Sequence, residues 1–273
     1  MSLSLPFMLI VFFISGLVVG SFLNVVAYRL NLAESFLIGR SHCPHCKKNI
    51  SWYDNIPVLS FIILRFRCRN CREKISWQYP LVEIFTGIMF AMIGYKFFSL
   101  NDVTTWATTI YYLGIVGFLM IIFVYDWLYM EIPSAVLWTG VGFVVAFSLF
   151  FDWNQIGTAK EALDFSVYSG VLAAFVSFMF FFLMVAISKE KWMGMGDAQL
   201  VILLGLILGW PQILLSLMLA FAFGAVVGLA LVFLKKKEMK SQIPFAPFLI
   251  VGTFVAMFFY ENILSWYFSL LRF

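Results

Sequence analysis

Trp192-Met193-Gly194-Met195-Gly196-Asp197 stands directly before the apolar run Ala198 to Trp210, and its reading decides how the chain is built. Two glycines flank the entry to an apolar segment, and a carboxylate sits where that segment begins. In a chain that is 12% charged and 63% hydrophobic, a carboxylate at such a boundary needs a partner or a purpose. A soluble chain carries about a quarter charged residues. Here apolar runs of about 20 residues, enough to cross a hydrocarbon core of about 30 Å, recur along all 273 residues. They are continuous rather than alternating, so the chain reads as an all-α polytopic membrane protein and not as a β-barrel.

Around Asp197 the pattern predicts about eight transmembrane helices, at 6–28, 79–98, 106–125, 132–151, 165–187, 198–210, 211–234 and 244–270. The sixth is short for a crossing, and Gly209-Trp210-Pro211 parts it from the seventh. The first run has no basic stretch ahead of it and no convincing cleavage site behind it, so it is read as a helix rather than a signal peptide. The expected organisation is a first helix (1–28), a polar loop (29–78) and a helical membrane domain (79–273).

Lysine and arginine set the orientation. The loop at 29–78 holds Arg29, Arg40, Lys47, Lys48, Arg65, Arg67, Arg69, Arg72 and Lys74. Lys189 and Lys191 follow span five, and Lys235, Lys236, Lys237 and Lys240 follow span seven. Only Lys96, Lys160 and Arg272 fall on the other face. By the positive-inside rule the first face is cytoplasmic and both termini lie outside. The formal charge of +4 therefore follows topology and gives no argument for nucleic acid, which is not expected as a partner. Membrane lipids are, with Lys235 to Lys240 placed to meet anionic headgroups. On this count span three runs inward to Asp126, and span six starts from the same face at Asp197. Two carboxylates from distant parts of the chain converge on the cytoplasmic boundary. Asp102, Asp152 and Asp164 lie toward the opposite face and receive no role.

The polar loop has its own pattern. Cys43-Pro44-His45-Cys46 and Cys68-Arg69-Asn70-Cys71 are two C-x-x-C pairs 21 residues apart. Two such turns complete a tetrahedral four-sulfur site, so the loop reads as zinc-ribbon-like with a structural Zn2+. A cytoplasmic loop keeps its thiols reduced, which argues against two disulfides. A redox pair, or His45 replacing one cysteine as ligand, are the other readings.

Two neighbouring carboxyls sharing one proton can hydrolyse a peptide without a catalytic metal, one acting as base toward water and one as acid toward the carbonyl oxygen. Plain readings stand beside this. Asp197 after a glycine suits a helix N-cap, and Asp126 suits a short solvated loop before Pro133 opens span four. Gly194 and Gly196 form either an active-site loop able to pair with an extended substrate or an ordinary helix entry. Glu83, four residues inside span two, is an acid at membrane depth and hence a functional candidate.

The chain resembles the type IV prepilin peptidases, GxGD-type membrane aspartic proteases. The resemblance rests on Gly20-Ser21-Phe22-Leu23-Asn24-Val25-Val26-Ala27-Tyr28-Arg29-Leu30, Arg40-Ser41 with Cys43-Pro44 and Cys46, and Asp54-Asn55-Ile56-Pro57-Val58-Leu59-Ser60. It continues through Cys68-Arg69 with Cys71, Tyr79-Pro80-Leu81-Val82-Glu83, Asp126 with Ile132-Pro133, Gly194-Met195-Gly196-Asp197 and Ile243-Pro244-Phe245-Ala246-Pro247-Phe248. The family commonly has Asp, Lys and Gly where this chain has Ser134, Gln199 and Ala246.

The resemblance implies a bacterial inner-membrane endopeptidase with Asp126 and Asp197 catalytic, cleaving the basic leader from prepilins or pseudopilins on the cytoplasmic side. It also implies N-methylation of the new terminus by S-adenosylmethionine, with Glu83, Asn24 and Arg29 as candidate residues for that step. The rival reading is a non-catalytic zinc-stabilised membrane scaffold or assembly factor. A transporter fits less well, because both acids lie at one face with no mid-membrane chain of partners.

Overall fold

The computed structural model describes residues 5–32, 34–35, 39, 41–99, 103–155, 165–234 and 244–271. Arg40, Asp102, Lys160, Asp164, Lys235, Lys236, Lys237, Lys240, Ile243 and Arg272 lie outside the described residues. Packing divides the chain into two units, Met1–Val124 and Tyr125–Phe273.

The first unit holds α1 (Leu5–Asn31), α2 (Leu59–Ile63), α3 (Gln78–Phe97) and most of α4 (Val103–Tyr129). Between membrane helices the lipid supplies no hydrophobic drive, so association depends on close packing over small residues. In the α1–α3 pair this is literal. A Cβ on Gly16 would lie 2.7 Å from the Gly87 Cα, and one on Gly20 would lie 2.8 Å from the Glu83 Cα. The second contact fixes the depth of Glu83 against α1. The loop between α1 and α3 is organised by a 3-10 turn at Trp52–Asn55, by α2, and by two cysteine hairpins that pair only through isolated bridges.

The second unit contains α5 (Ser134–Gln155), α6 (Ser166–Ser188), α7 (Met195–Leu208), α8 (Gln212–Phe233) and α9 (Ala246–Leu271). Its centre is the shortest of these, α7, which touches α5, α6, α8 and α9. Leu200, Val201, Leu203 and Leu204 of α7 are fully buried, as expected of a helix that is apolar all round. A Cβ on Gly205 would sit 2.5 Å from the Ala174 Cα, bringing the α6 and α7 backbones together. Across α8 and α9 the buried hydroxyls of Ser216 and Thr253 meet at 3.0 Å.

All eight expected apolar helices form. Among the described residues seven are long and apolar enough to cross a membrane. The exception is α7, whose 14 residues span about 21 Å at 1.5 Å per residue. Four helices of its own unit surround it, so its length need not match the lipid. It also begins at Met195 and not at Ala198, which brings Asp197 inside the helix. It ends at Leu208 because Gly209 adopts φ +70, where any Cβ would press on the Ser169 hydroxyl.

Other helices outrun their expected ends, α5 among them, which reaches Gln155. The first continues to Asn31, making Asn24 and Arg29 helical, and the fourth runs past Asp126 to Tyr129. Asp152, given no role above, has one. Its carboxylate accepts the N–H groups of Ser166 at 2.7 Å and Val167 at 2.9 Å, satisfying two orphan donors at the start of α6.

Candidate active site

Asp126 lies in the last turn of α4 and is 5% exposed, inside the helix and not in a solvated loop. The helix survives past it because Trp127, Leu128 and Tyr129 continue the turn. Met130, at φ 55, ends it and returns its N–H to the Asp126 carbonyl at 2.9 Å. The side chain accepts the backbone N–H of Ala246, the first residue of α9. Its Oδ2 is buried and has no protein partner.

Asp197 occupies the first turn of α7. Gly194 is the N-cap in extended backbone, φ −78 and ψ 155, with no side chain to offer. The Asp197 carboxylate fills that gap by accepting the Gly194 N–H, the geometry of a capping box closed from the third helical position. It thus caps its helix from inside, and the helix dipole favours its charge there. Gly196 is helical and packs under Ile132, where a Cβ would touch the isoleucine at 3.4 Å. Gly194 is exposed, and a Cβ there would meet only the Gly196 nitrogen, at 4.0 Å. So the two glycines are a cap and a first turn rather than an extended loop. The Asp126 charge acts directly on Asp197 through space. Two carboxylates from separate helices therefore share one corner of the second unit.

The first unit carries a different constellation. The Sγ atoms of Cys43, Cys46, Cys68 and Cys71 all lie within 4.8 Å of one another, with Cys43 and Cys71 at 3.9 Å. Zn–S bonds of about 2.3 Å in a tetrahedron require S–S separations near 3.8 Å, so the four sulfurs can hold a zinc ion. The two hairpins repeat each other bond for bond. Cys43 N–H donates to the Lys48 carbonyl and Lys47 N–H returns to Cys43; Cys68 N–H donates to Glu73 and Arg72 N–H returns to Cys68. Bridges His42–Asn49 and Arg67–Lys74 close both at the same register. Lys47 at φ 59 and Arg72 at φ 61 take the corresponding left-handed position. The Cys71 N–H, followed by that of Asn70, brings the Cys68 thiol down from 9.0 to about 7 against a smaller desolvation, which suits a metal ligand. Arg69 clamps Asp54 through Nε–Oδ2 at 2.8 Å and Nη2–Oδ1 at 2.6 Å, tying the second hairpin to the 3-10 turn.

Beneath the hairpins lies a cavity of about 460 Å³, walled by the loop and by α1 and α3, all within the first unit. Glu83, Asn24 and Arg29 line it. Glu83 Oε2 accepts the Val58 N–H at 2.7 Å, and Ser21 adds a second hydrogen bond. Arg29 donates to the Ser35 carbonyl at 2.9 Å.

With this geometry in hand, the comparisons with known proteins are direct. The profile described as "Bacterial Peptidase A24 N-terminal domain" matches residues 14–97, and "Type IV leader peptidase family" matches residues 113–229. The chain belongs to the type IV leader peptidase family. A prepilin leader peptidase/N-methyltransferase of Bacillus subtilis (strain 168) is 30% identical over 261 residues, covering 95% of this chain and 98% of that protein. A protein of the same name from Stutzerimonas stutzeri is 29% identical over 285 residues, covering 94% and 92%. One from Myxococcus xanthus (strain DK1622) is 35% identical over 227 residues, covering 82% and 63%. No solved structure gives a significant match.

The first family segment contains the cysteine hairpins and the cavity. Asp126 and Asp197 fall in the second. Three participants escaped sequence reasoning: the Ala246 N–H that holds Asp126, the Val58 N–H that holds Glu83, and Ile132 over Gly196. Each sits in a segment quoted above for the resemblance, but a backbone donor leaves no side-chain signature.

Proposed function

We propose that this chain is a membrane aspartic endopeptidase that removes the basic leader from type IV prepilins or pseudopilins, and then methylates the exposed amino terminus with S-adenosylmethionine. The observation that carries the proteolytic half is the buried Asp126, with one oxygen lacking a protein partner and a second carboxylate close enough to feel its charge. Such a pair holds one proton between two carboxyl groups. The unprotonated carboxylate takes a proton from water as the water oxygen adds to the scissile carbonyl carbon. The protonated partner gives its proton to the carbonyl oxygen. Collapse of the resulting diol breaks the C–N bond: the leaving amine receives a proton from the carboxyl that acted as base, and a diol hydroxyl returns its proton to the carboxylate that acted as acid, restoring the pair. A site at the membrane boundary limits bulk water to what the reaction uses.

Both aspartates sit at the cytoplasmic face, with the termini outside, on the strength of the basic loops. That orientation suits a substrate whose leader is basic and whose following segment is an apolar helix. Gly194, exposed, offers backbone to the substrate once its helix unwinds. Cys43, Cys46, Cys68 and Cys71 hold a structural zinc ion. Four sulfur ligands leave no open coordination position, so the ion organises the loop and takes no part in hydrolysis.

The test is purified protein with a prepilin, with and without S-adenosylmethionine, followed by intact mass. Leader loss without the donor and a further 14 Da (one methylene, by elementary mass balance, about one CH2) with it are the expected results. Undiminished processing by both Asp126→Asn and Asp197→Asn would leave the protease reading without support and favour a scaffold.

A further inference from the structure

We propose that the cavity above Glu83 and Asn24 is the binding site for the methyl donor, with those two side chains taking its cationic methionyl end. This deepens the methyltransferase half of the proposed function and rests on it. The volume, about 460 Å³, falls in the range of small-molecule and cofactor sites, about 300 to 1,000 Å³. The walls combine four aromatic rings, Tyr28, Tyr53, Phe61 and Tyr79, with one buried carboxylate, Glu83, and one buried guanidinium, Arg29, which can take the donor's own carboxylate. S-adenosylmethionine carries a sulfonium and an ammonium beside a flat purine. Aromatic faces attract onium cations through the ring quadrupole and stack with a nucleobase, and a buried carboxylate supplies the charge-assisted hydrogen bond an ammonium needs.

Two polar features at the membrane end support the assignment. Asn24 is 2% exposed, and its Nδ2 donates to the carbonyls of Gly20 at 3.2 Å and Tyr79 at 3.3 Å. Those bonds orient the amide, and they leave Oδ1 buried with no protein partner in a residue that lines the cavity. Buried acceptors of this kind are rarely left without a donor. Glu83 is fixed from the loop side by Val58, whose backbone lies at φ 58 and ψ −47. A β-branched residue seldom adopts that conformation, and such outliers persist where the surroundings enforce them. The Val58 N–H would have no reason to face α3 without the carboxylate. An acceptor amide and a carboxylate thus stand together at one end, and among the described residues neither makes a hydrogen bond or ion pair to a lysine or arginine.

The donor alone serves as the probe. Full-length zinc-loaded protein in detergent is dialysed to equilibrium against tritiated S-adenosylmethionine, then irradiated to cross-link bound donor, and the labelled peptides are mapped. Wild-type protein retains the donor and carries label on peptides containing Tyr28, Tyr53 or Tyr79. Glu83→Gln weakens binding about tenfold or more, the loss expected for one charged hydrogen bond, and Glu83→Asp recovers part of it. Folding of each variant is checked by zinc content and monodisperse elution. If wild-type protein binds no donor, the methyltransferase reading itself fails. If it binds donor but the label maps outside this cavity, or a folded Glu83→Gln binds as wild type does, the site assignment is overturned and that reading stands. Should Glu83→Gln not fold, the cross-link map on wild-type protein decides.

Discussion

Two membrane carboxylates in this chain look alike in sequence and are treated oppositely by their surroundings. Glu83, in the first unit, is held by a backbone N–H and a serine hydroxyl, and α3 is seated against α1 at that very residue through Gly20. Asp126, in the second unit, is held by a single N–H and keeps a buried oxygen without a protein partner beside another acid. A carboxylate pinned from several sides is a wall with a charge on it. One pinned from a single side, next to a like charge, is free to trade a proton. The contrast teaches that burial alone does not mark a reacting acid; the count and placement of its donors does.

The largest expected effect breaks the second half of this contrast. Asp126→Asn or Asp197→Asn lowers the cleavage rate about 10²- to 10⁴-fold, the range for loss of a general acid or base, with thermal unfolding little changed. Comparing the two variants in one prepilin assay tests whether they act as a unit, because a double variant then loses no more than either single one.

Gly205→Leu addresses the frame that brings α7 to its place. Its side chain meets the Ala173 and Ala174 backbone, so overpacking destabilises the second unit by about 1 to 3 kcal/mol or more, read as a lower denaturation midpoint. Unchanged stability would mean that α6 and α7 are not in backbone contact.

The first unit responds to metal and to acid. Cys68→Ser is expected to remove bound zinc and to make the segment between the hairpins susceptible to protease, while total helix content by circular dichroism changes little. The Cys71 N–H holds the Cys68 thiol down at about 7, while Cys71 itself stands at about 11, where the lowering Glu73 N–H is outweighed by desolvation and by hydrogen bonds with Cys68, Cys46 and Cys43. The two shifts oppose each other in stability, so the pH direction rests on the metal, which binds thiolates. Protons compete with it for those ligands, so zinc release to a chromophoric chelator should rise as pH falls. Release independent of pH between 8 and 6 would exclude the thiolate ligands.

The smallest effect belongs to Arg69→Ala. Its pair with Asp54 is exposed on the arginine side, and solvent screening leaves such pairs little weight in stability. A clear loss of donor binding by this variant would show that the 3-10 turn carrying Tyr53 depends on the clamp.

Much of this was legible in the residues. The eight apolar runs became helices because length and hydropathy leave a membrane chain few alternatives, and the cysteine spacing brought four sulfurs together because each C-x-x-C turn is a local device. What escaped was set by neighbours. The apolar run stops at Tyr125, yet α4 continues through Asp126 because Trp127, Leu128 and Tyr129 extend the turn, and the N-terminus of α9 supplies the buried carboxylate with an amide that the sequence of α4 does not announce. Gly194 and Gly196 read equally as an active-site loop or an ordinary helix entry, and they take the second form, with Asp197 closing the cap. Asp152 read as an idle surface acid and proved to be the cap of α6, because the helix it serves begins 14 residues later.

The two cysteine hairpins are the same turn made twice, and neither half holds an ion alone. The 21 residues between Cys46 and Cys68 include the 3-10 turn, Val58 and α2, which bring Tyr53 and Phe61 to the cavity and the Val58 N–H to Glu83. Four-sulfur closure therefore joins the two ends of that segment and cuts the freedom of the chain that carries this part of the cavity wall. An ion bound there would act as a clasp on that wall, so that its stoichiometry counts the molecules in which both hairpins have closed over the cavity.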